Sequence, residues 1–272
     1  MRYNEKGARS GPNALSPTTA MKLSFVIPAH NEEQRLSACL DAITREQDGA
    51  PIETEVVVVD NASTDGTAAV AKRYPGVRVV AEPHKGIVWA RARGFAESTG
   101  DLVANIDSDN RLPPGWLRAV AGEFARNPHL VCLSGPLFYY DLSRWDRFLV
   151  WVFNRIAFHS HLVLRFFRVS AWVQGGNFVL RREAWQRAGG FDTSIDFYGE
   201  DTDVGRRCVK QGFVKFTFRL PINSSGRRLA DEGVLATGWR YTLNYLWVSF
   251  TGRPYTRTST DVRKDAAGRP TP

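Results

Sequence analysis

The sequence predicts an α/β fold in which a mostly parallel, Rossmann-like sheet is flanked by helices. Three observations carry that expectation. Short apolar runs alternate with stretches of helical periodicity, the spacing of strand–helix–strand units. The runs are continuous and often β-branched, as in parallel strands buried on both faces. Three of them also end in clusters of polar, turn-forming residues.

The first run, "LSFVI" (23–27), is read as a buried strand. Asn31 then begins a helix with Gln34 in the reciprocal capping position, and Leu36, Leu40 and Ile43 fall on one face. "EVVVV" (55–59) and "VRVV" (77–80) are the next strands, and residues 86–98 are helical. "LVANI" (102–106) is the fourth strand, followed by a helix near 114–126 and a strand near 130–134. Parallel sheets bind ligands at the carboxyl ends of their strands. Those ends carry "PAHNEE" (28–33), "DNASTDGT" (60–67) and "DSDN" (107–110), so three polar loops converge on one rim. Asp107 and Asp109, one residue apart on a short loop, suit a hard cation whose remaining ligands are phosphate oxygens.

Composition narrows the classes. The chain has 272 residues, 43% of them hydrophobic with 8 Trp and 16 Phe, enough for a sizeable core. The formal charge of +8 points to an anionic partner. Cys39, Cys132 and Cys208 are odd in number, far apart and without a C-x-x-C, which fits a reducing compartment. Residues 1–20 are read as a disordered leader, with Met21 a plausible alternative start, and the end of the chain as a frayed tail. There is no Walker phosphate loop and no G-x-G-x-x-G after the first strand. No nucleic-acid-binding signature accompanies the basic charge either, so nucleic acid is not expected as a partner.

The stretches "SFVIPAHNEE", "VVVVDNASTDGT", "ARARGFAESTGDLVANIDSD", "GGNFVLRREAWQRAGGFD" and "GEDTDVGRR" stand in the order and spacing of glycosyltransferase family 2. The chain resembles that family over roughly residues 22–218. The resemblance implies the GT-A fold over residues 21–225, with a C-terminal helical extension and tail over 226–272. It implies an inverting transferase that uses a nucleotide-diphosphate sugar (UDP- or GDP-type) and Mn²⁺ or Mg²⁺. Position by position, it implies that Pro28, His30 and Glu32 hold the nucleoside, that Asp60 contacts base or ribose, and that Arg91 faces the nucleotide. Asp107 and Asp109 form its D-x-D, with Asp109 the more direct metal ligand; Gly175 and Gly176 let the backbone approach donor and acceptor. Asp201 is the implied base, and Glu200 orients the acceptor or the loop.

Two departures qualify this. Ala92 stands where many relatives have Asn, and no His follows His161, so a metal held mostly by Asp109 and diphosphate is expected. Arg227 and Arg228 are candidates for pairing with the diphosphate, a solvated charge pair being the alternative. A retaining transferase and a sugar nucleotidyltransferase are the competing activities. The segment 144–172 is dense in Trp and Phe but interrupted by Arg144, Arg147, Arg155, Arg165 and Arg168. It reads as an acceptor-side helix lying on an anionic membrane, or else as a core or dimer-interface hairpin broken near His159–His161. A glycan or lipid-linked acceptor and a cytoplasmic chain, able to touch the inner face of the membrane, complete the expectation.

Overall fold

A computed structural model describes residues 21–256. The expected leader and the end of the expected tail lie outside the described residues. Four strands, β1 (Lys22–Ala29), β2 (Glu53–Asn61), β3 (Val77–Glu82) and β4 (Leu102–Ile106), run parallel in the order β3-β2-β1-β4. Beyond β4 the sheet continues through β7 (Asn177–Arg181), β5 (Leu130–Ser134) and β8 (Phe213–Phe216). β7 is antiparallel to both its neighbours and was not foreseen as a strand. Its sequence "NFVLR" sits between a Gly-Gly turn and the helical "REAWQR", with too little length to show a period. A two-stranded ribbon pairs β6 (Leu137–Tyr139) with β9 (Ile222–Ser224).

The period of two along β1 explains how both faces are covered. Leu23, Phe25 and Ile27 turn to one side and meet Leu36, Leu40 and Ile43 of α1 (Leu36–Gln47), with Trp116 and Leu117 of α4 (Trp116–Arg126). Val26, with Val57 and Val59 of β2, turns to the other side, where Ala90 of α3 (Ile87–Glu97) packs. On that side the core continues from Phe178 and Leu180 to Trp185 of α6 (Arg182–Arg187) and to Val204 and Cys208 of α7 (Glu200–Gln211). Fully burying one such aliphatic or aromatic side chain is worth about 1.5–3 kcal/mol. The three cysteines are buried and unbridged.

Two local expectations are corrected. The first helix starts at Leu36, not Asn31. Asn31 takes a left-handed φ of 51° and its Oδ1 accepts from Thr64 N at 2.8 Å, while Glu32 N donates to Thr67 Oγ1 at 2.8 Å. Bonding to the loop before α2 (Thr67–Ala71) thus outcompetes a helical start. The second correction concerns the aromatic segment. A single helix, α5 (Arg144–Phe166), runs through His159–His161 without a break. Buried His161 accepts from Trp172 N at 2.9 Å, and burial pushes its pKa down to about 4, so it packs as a neutral ring inside the helix.

Two helices follow β9: α8 (Arg227–Glu232) and α9 (Val234–Thr251). The latter packs against α5, α7 and α8. No helix among the described residues is long and apolar enough to cross a membrane.

Candidate functional site

The carboxyl ends of β1, β2 and β4 open into a cavity of about 940 Å³, lined on its far side by residues of α5, α8 and α9. Asn61 ties the rim together. Its carbonyl takes the His30 ring at 2.7 Å, its Oδ1 accepts from Gly86 N at 2.8 Å, and its Nδ2 reaches the His84 carbonyl at 2.7 Å. It lies inside the expected "DNASTDGT" loop, but the expected contact was its neighbour Asp60. The structure turns Asp60 toward Ser63 N at 3.3 Å, whereas Asn61, with Pro28 and His30, lines the cavity.

Asp107 and Asp109 follow β4 directly, so the strand sets their position. Gly176 must lie close to them. Its φ is 74°, in the left-handed region, and a Cβ there would sit 2.2 Å from Asp107 Oδ2. Buried Asn110 fixes that approach by donating to the Gly176 carbonyl at 2.6 Å. Asn110 closes the "DSDN" cluster, but nothing in the sequence distinguished it from a turn residue.

On one side of this loop, Arg227 pairs with buried Glu32 and, at 3.2 Å, with Asp109. Glu32, expected at the ribose, lines the cavity and anchors this guanidinium. Asp141, which sequence reading missed, positions it: its carboxylate accepts from Ser225 Oγ at 2.6 Å and Gly226 N at 2.5 Å, just before Arg227. Arg228 also lines the cavity, but its guanidinium bonds Glu232 at 2.7 Å and lies over the Phe197 ring at 4.4 Å.

On the other side, Arg91 reaches Asp107 at 3.2 Å and Glu200 at 2.5 Å. Asp201 accepts from Gly175 N at 3.2 Å and from Thr202 N at 2.7 Å, at the N-terminus of α7. Gly199 precedes that helix with φ 82°, and a Cβ on it would meet Val248 of α9 at 2.5 Å. The loop carrying Glu200 and Asp201 is thereby clamped under α9.

Four carboxylates, Glu32, Asp107, Asp109 and Glu200, thus share two guanidiniums, and Asp201 lies next to Glu200 held by the Gly175 backbone N–H. Burial pushes Asp109 up to about 7, with Arg227 opposing and Glu32 and Asp107 adding to the rise. Glu200 is pushed up to about 8, by burial first and also by Asp201, against Arg91. Asp201 is raised as well, by burial. A site with this surplus of negative charge favours a cation, and oxygen-only donors suit Mg²⁺ or Mn²⁺. No group of three or more His, Cys, Asp or Glu side chains stands ready for a metal among the described residues. Asp107 and Asp109 are the oxygen donors that the D-x-D loop offers to a cation.

Comparison with known proteins bears on family and fold. The sequence model described as "Glycosyl transferase family 2" matches residues 24–189. An uncharacterized glycosyltransferase, Mb0553 of Mycobacterium bovis, is 38% identical over 40% of this chain and 46% of its own length. The chain therefore spans less than half of that relative. Among solved structures, the mannosyltransferase PcManGT of Pyrobaculum calidifontis, in complex with GDP-Man and Mn²⁺, superposes with a TM-score of 0.61 at 24% identity, covering 87% of this chain and 65% of that one. Glucosyl-3-phosphoglycerate synthase of Mycobacterium tuberculosis, with Mn²⁺ and UDP-glucose, gives 0.58 at 21% identity, covering 87% and 81%. The shared architecture is the GT-A fold. The chain belongs to glycosyl transferase family 2.

Proposed function

We propose that the chain moves a sugar, with inversion, from a UDP- or GDP-linked donor to an acceptor hydroxyl. The observation that carries this reading is the pair of acidic centres on either side of Gly175–Gly176. Asp107 and Asp109 end β4, and Glu200 and Asp201 start α7. One centre suits a diphosphate with its cation; the other suits a proton acceptor. The sugars bound in the two structural neighbours above, GDP-mannose and UDP-glucose, are nucleotide-diphosphate sugars, which supports the donor class.

Pro28, His30 and Asn61 line the nucleoside end of the cavity. Asp109, with Asp107, holds Mn²⁺ or Mg²⁺, which when bound stabilises the negative charge of the departing diphosphate. Arg227 stands beside them to pair with the diphosphate oxygens. Asp201 takes the proton from the acceptor hydroxyl as its oxygen attacks the anomeric carbon. The bond from that carbon to the diphosphate breaks, and the electron pair leaves with the diphosphate. Asp201's raised pKa makes it a better base than an exposed aspartate. Arg91 holds Glu200 beside it, in place to orient the acceptor.

The test separates the two centres. Asp109→Ala should abolish the thermal shift given by Mn²⁺ with a nucleotide diphosphate. Asp201→Asn should keep that shift and lose about 10²–10⁴ in turnover, the usual worth of a positioned base. Equal losses of donor binding in both variants would remove Asp201 from the role of base. NMR of the product anomer decides inversion: a retained configuration would replace the displacement above with a retaining mechanism.

A further inference from the structure

α5 and α9 hide surprisingly little of their apolar surface. Trp145, Trp151 and Phe166 on α5, and Trp239, Trp247 and Phe250 on α9, are each at least half exposed. Trp145, Phe148 and Trp151 stack in a row along α5, with ring centroids 5.6 and 6.1 Å apart. On α9, Leu235, Trp239, Leu246 and Phe250 recur at spacings of four and seven, which is one helix face. Exposed aromatic and aliphatic side chains gathered on two packed helices are the feature of a docking surface.

Charge selects the occupant. α5 carries Arg144, Arg147, Arg155 and Arg165 against a single acid, Asp146, and α9 carries Arg240 and no acid. A second copy docking through a two-fold axis would set this basic patch against itself. An anionic lipid surface matches it, since aromatics enter the interface while arginine heads remain at phosphate level. The arginines are already laid along the aromatic rings: Arg155 lies over Phe218 at 5.1 Å and Arg165 over Phe213 at 4.7 Å.

The cavity opens onto the same face. Ile156 of α5 and Leu246 of α9 both line it and are 63% and 43% exposed, so they border its mouth. Phe153, Ala157 and Tyr245 line the same cavity as Glu200 and Asp201. We propose that α5 and α9 dock the enzyme on an anionic membrane, and that its acceptor is an amphiphilic lipid. The lipid's hydroxyl-bearing head reaches Asp201, and its hydrocarbon tail leaves between Ile156 and Leu246. The proposal rests on the transferase reading above and specifies its acceptor.

Two variants test it, each checked for the thermal shift with Mn²⁺ and a nucleotide diphosphate, so that failure of donor binding is seen separately. The combination Trp145→Ser, Trp151→Ser and Trp247→Ser removes exposed rings only. Wild type should co-sediment with phosphatidylglycerol-containing vesicles, less so as salt rises, and the triple variant should lose at least tenfold in partitioning. Ala157→Trp fills part of the cavity: it should bind vesicles like wild type but no longer enhance the fluorescence of dansyl-labelled dodecanol. Should Ala157→Trp fail to fold, Thr242→Trp fills the same cavity from α9. Wild type that ignores anionic vesicles, or that sediments as a dimer which the triple variant breaks, overturns the docking face. Undiminished dodecanol binding by the filled variant overturns the acceptor site.

Discussion

Each half of the site sets one arginine among acids, yet the two arginines are held differently. Arg91 lies at the centre of α3 with its side chain 2% exposed, its guanidinium 5.2 Å from the Phe178 ring and its partners on two separate elements. Arg227 is the first residue of the short α8, 21% exposed, and one of its two partners is the carboxylate assigned to the cation. The contrast separates a scaffold charge from an exchangeable one. Arg91 cannot leave without stranding Glu200 and Asp107. Under the proposed function, Arg227 would turn from Asp109 to the diphosphate while its Nη1 still bonds Glu32.

The largest effect should come from breaking the scaffold charge. Arg91→Met should cost about 3–5 kcal/mol in urea unfolding at pH 9, above the raised Glu200 value, the usual loss when one partner of a buried ion pair is removed. The mechanism is specific: Glu200 would keep its burial and lose the group that favours its ionised form. A loss below about 1 kcal/mol, the range of an exposed pair, would erase the distinction between the two arginines.

Arg227→Gln should disturb stability far less and ligand binding more. Without the guanidinium competing for Asp109, Mn²⁺ alone should bind more tightly, seen as a loss of free-ion signal in electron paramagnetic resonance. Nucleotide diphosphate should bind roughly 10–100-fold more weakly, since a hydrogen bond to a charged group is worth about 1.5–3 kcal/mol. Unchanged Mn²⁺ affinity would show that Arg227 does not stand in the cation's place.

How much of this was legible in the sequence follows the range of the interactions. β1, β2 and β4 and their polar ends were readable because a buried parallel strand is a local apolar run. The facing pairs of carboxylates were reached through motif resemblance, and the structure places them around one cavity. What stayed hidden depends on contacts between distant residues. Glu32 meets Arg227 across 195 positions, and Asp141 holds Gly226 across 85. Asn31 carries a helix-start signal, but its real partner is Thr64, 33 residues away. The aromatic helix shows the same limit: of Trp151, Phe153 and Phe158, only Trp151 is an exposed ring. Phe153 lines the cavity and Phe158 packs on Phe218 with centroids 5.3 Å apart.

The finest discrimination between the two halves is a pH effect at Glu200. Its folded-state value of about 8 stands above the ordinary 4.5, chiefly through burial. The unfolded chain gives up this proton near the ordinary value, whereas the folded chain keeps it until its own raised value. Between the two the folded state binds more protons, so the contribution is fully present at low pH and falls as pH rises through the folded value. Melting in chelator should therefore shift downward from about pH 5 to about pH 8, by roughly 2–4 °C for each kcal/mol lost. Glu200→Gln keeps the side chain's size and removes its titration, so its melting temperature should vary less over that window. A slope identical to wild type would mean that Arg91 keeps Glu200 ionised throughout. The base side would then be a permanently charged pair, and only the Asp109 side would hold a proton that a cation displaces.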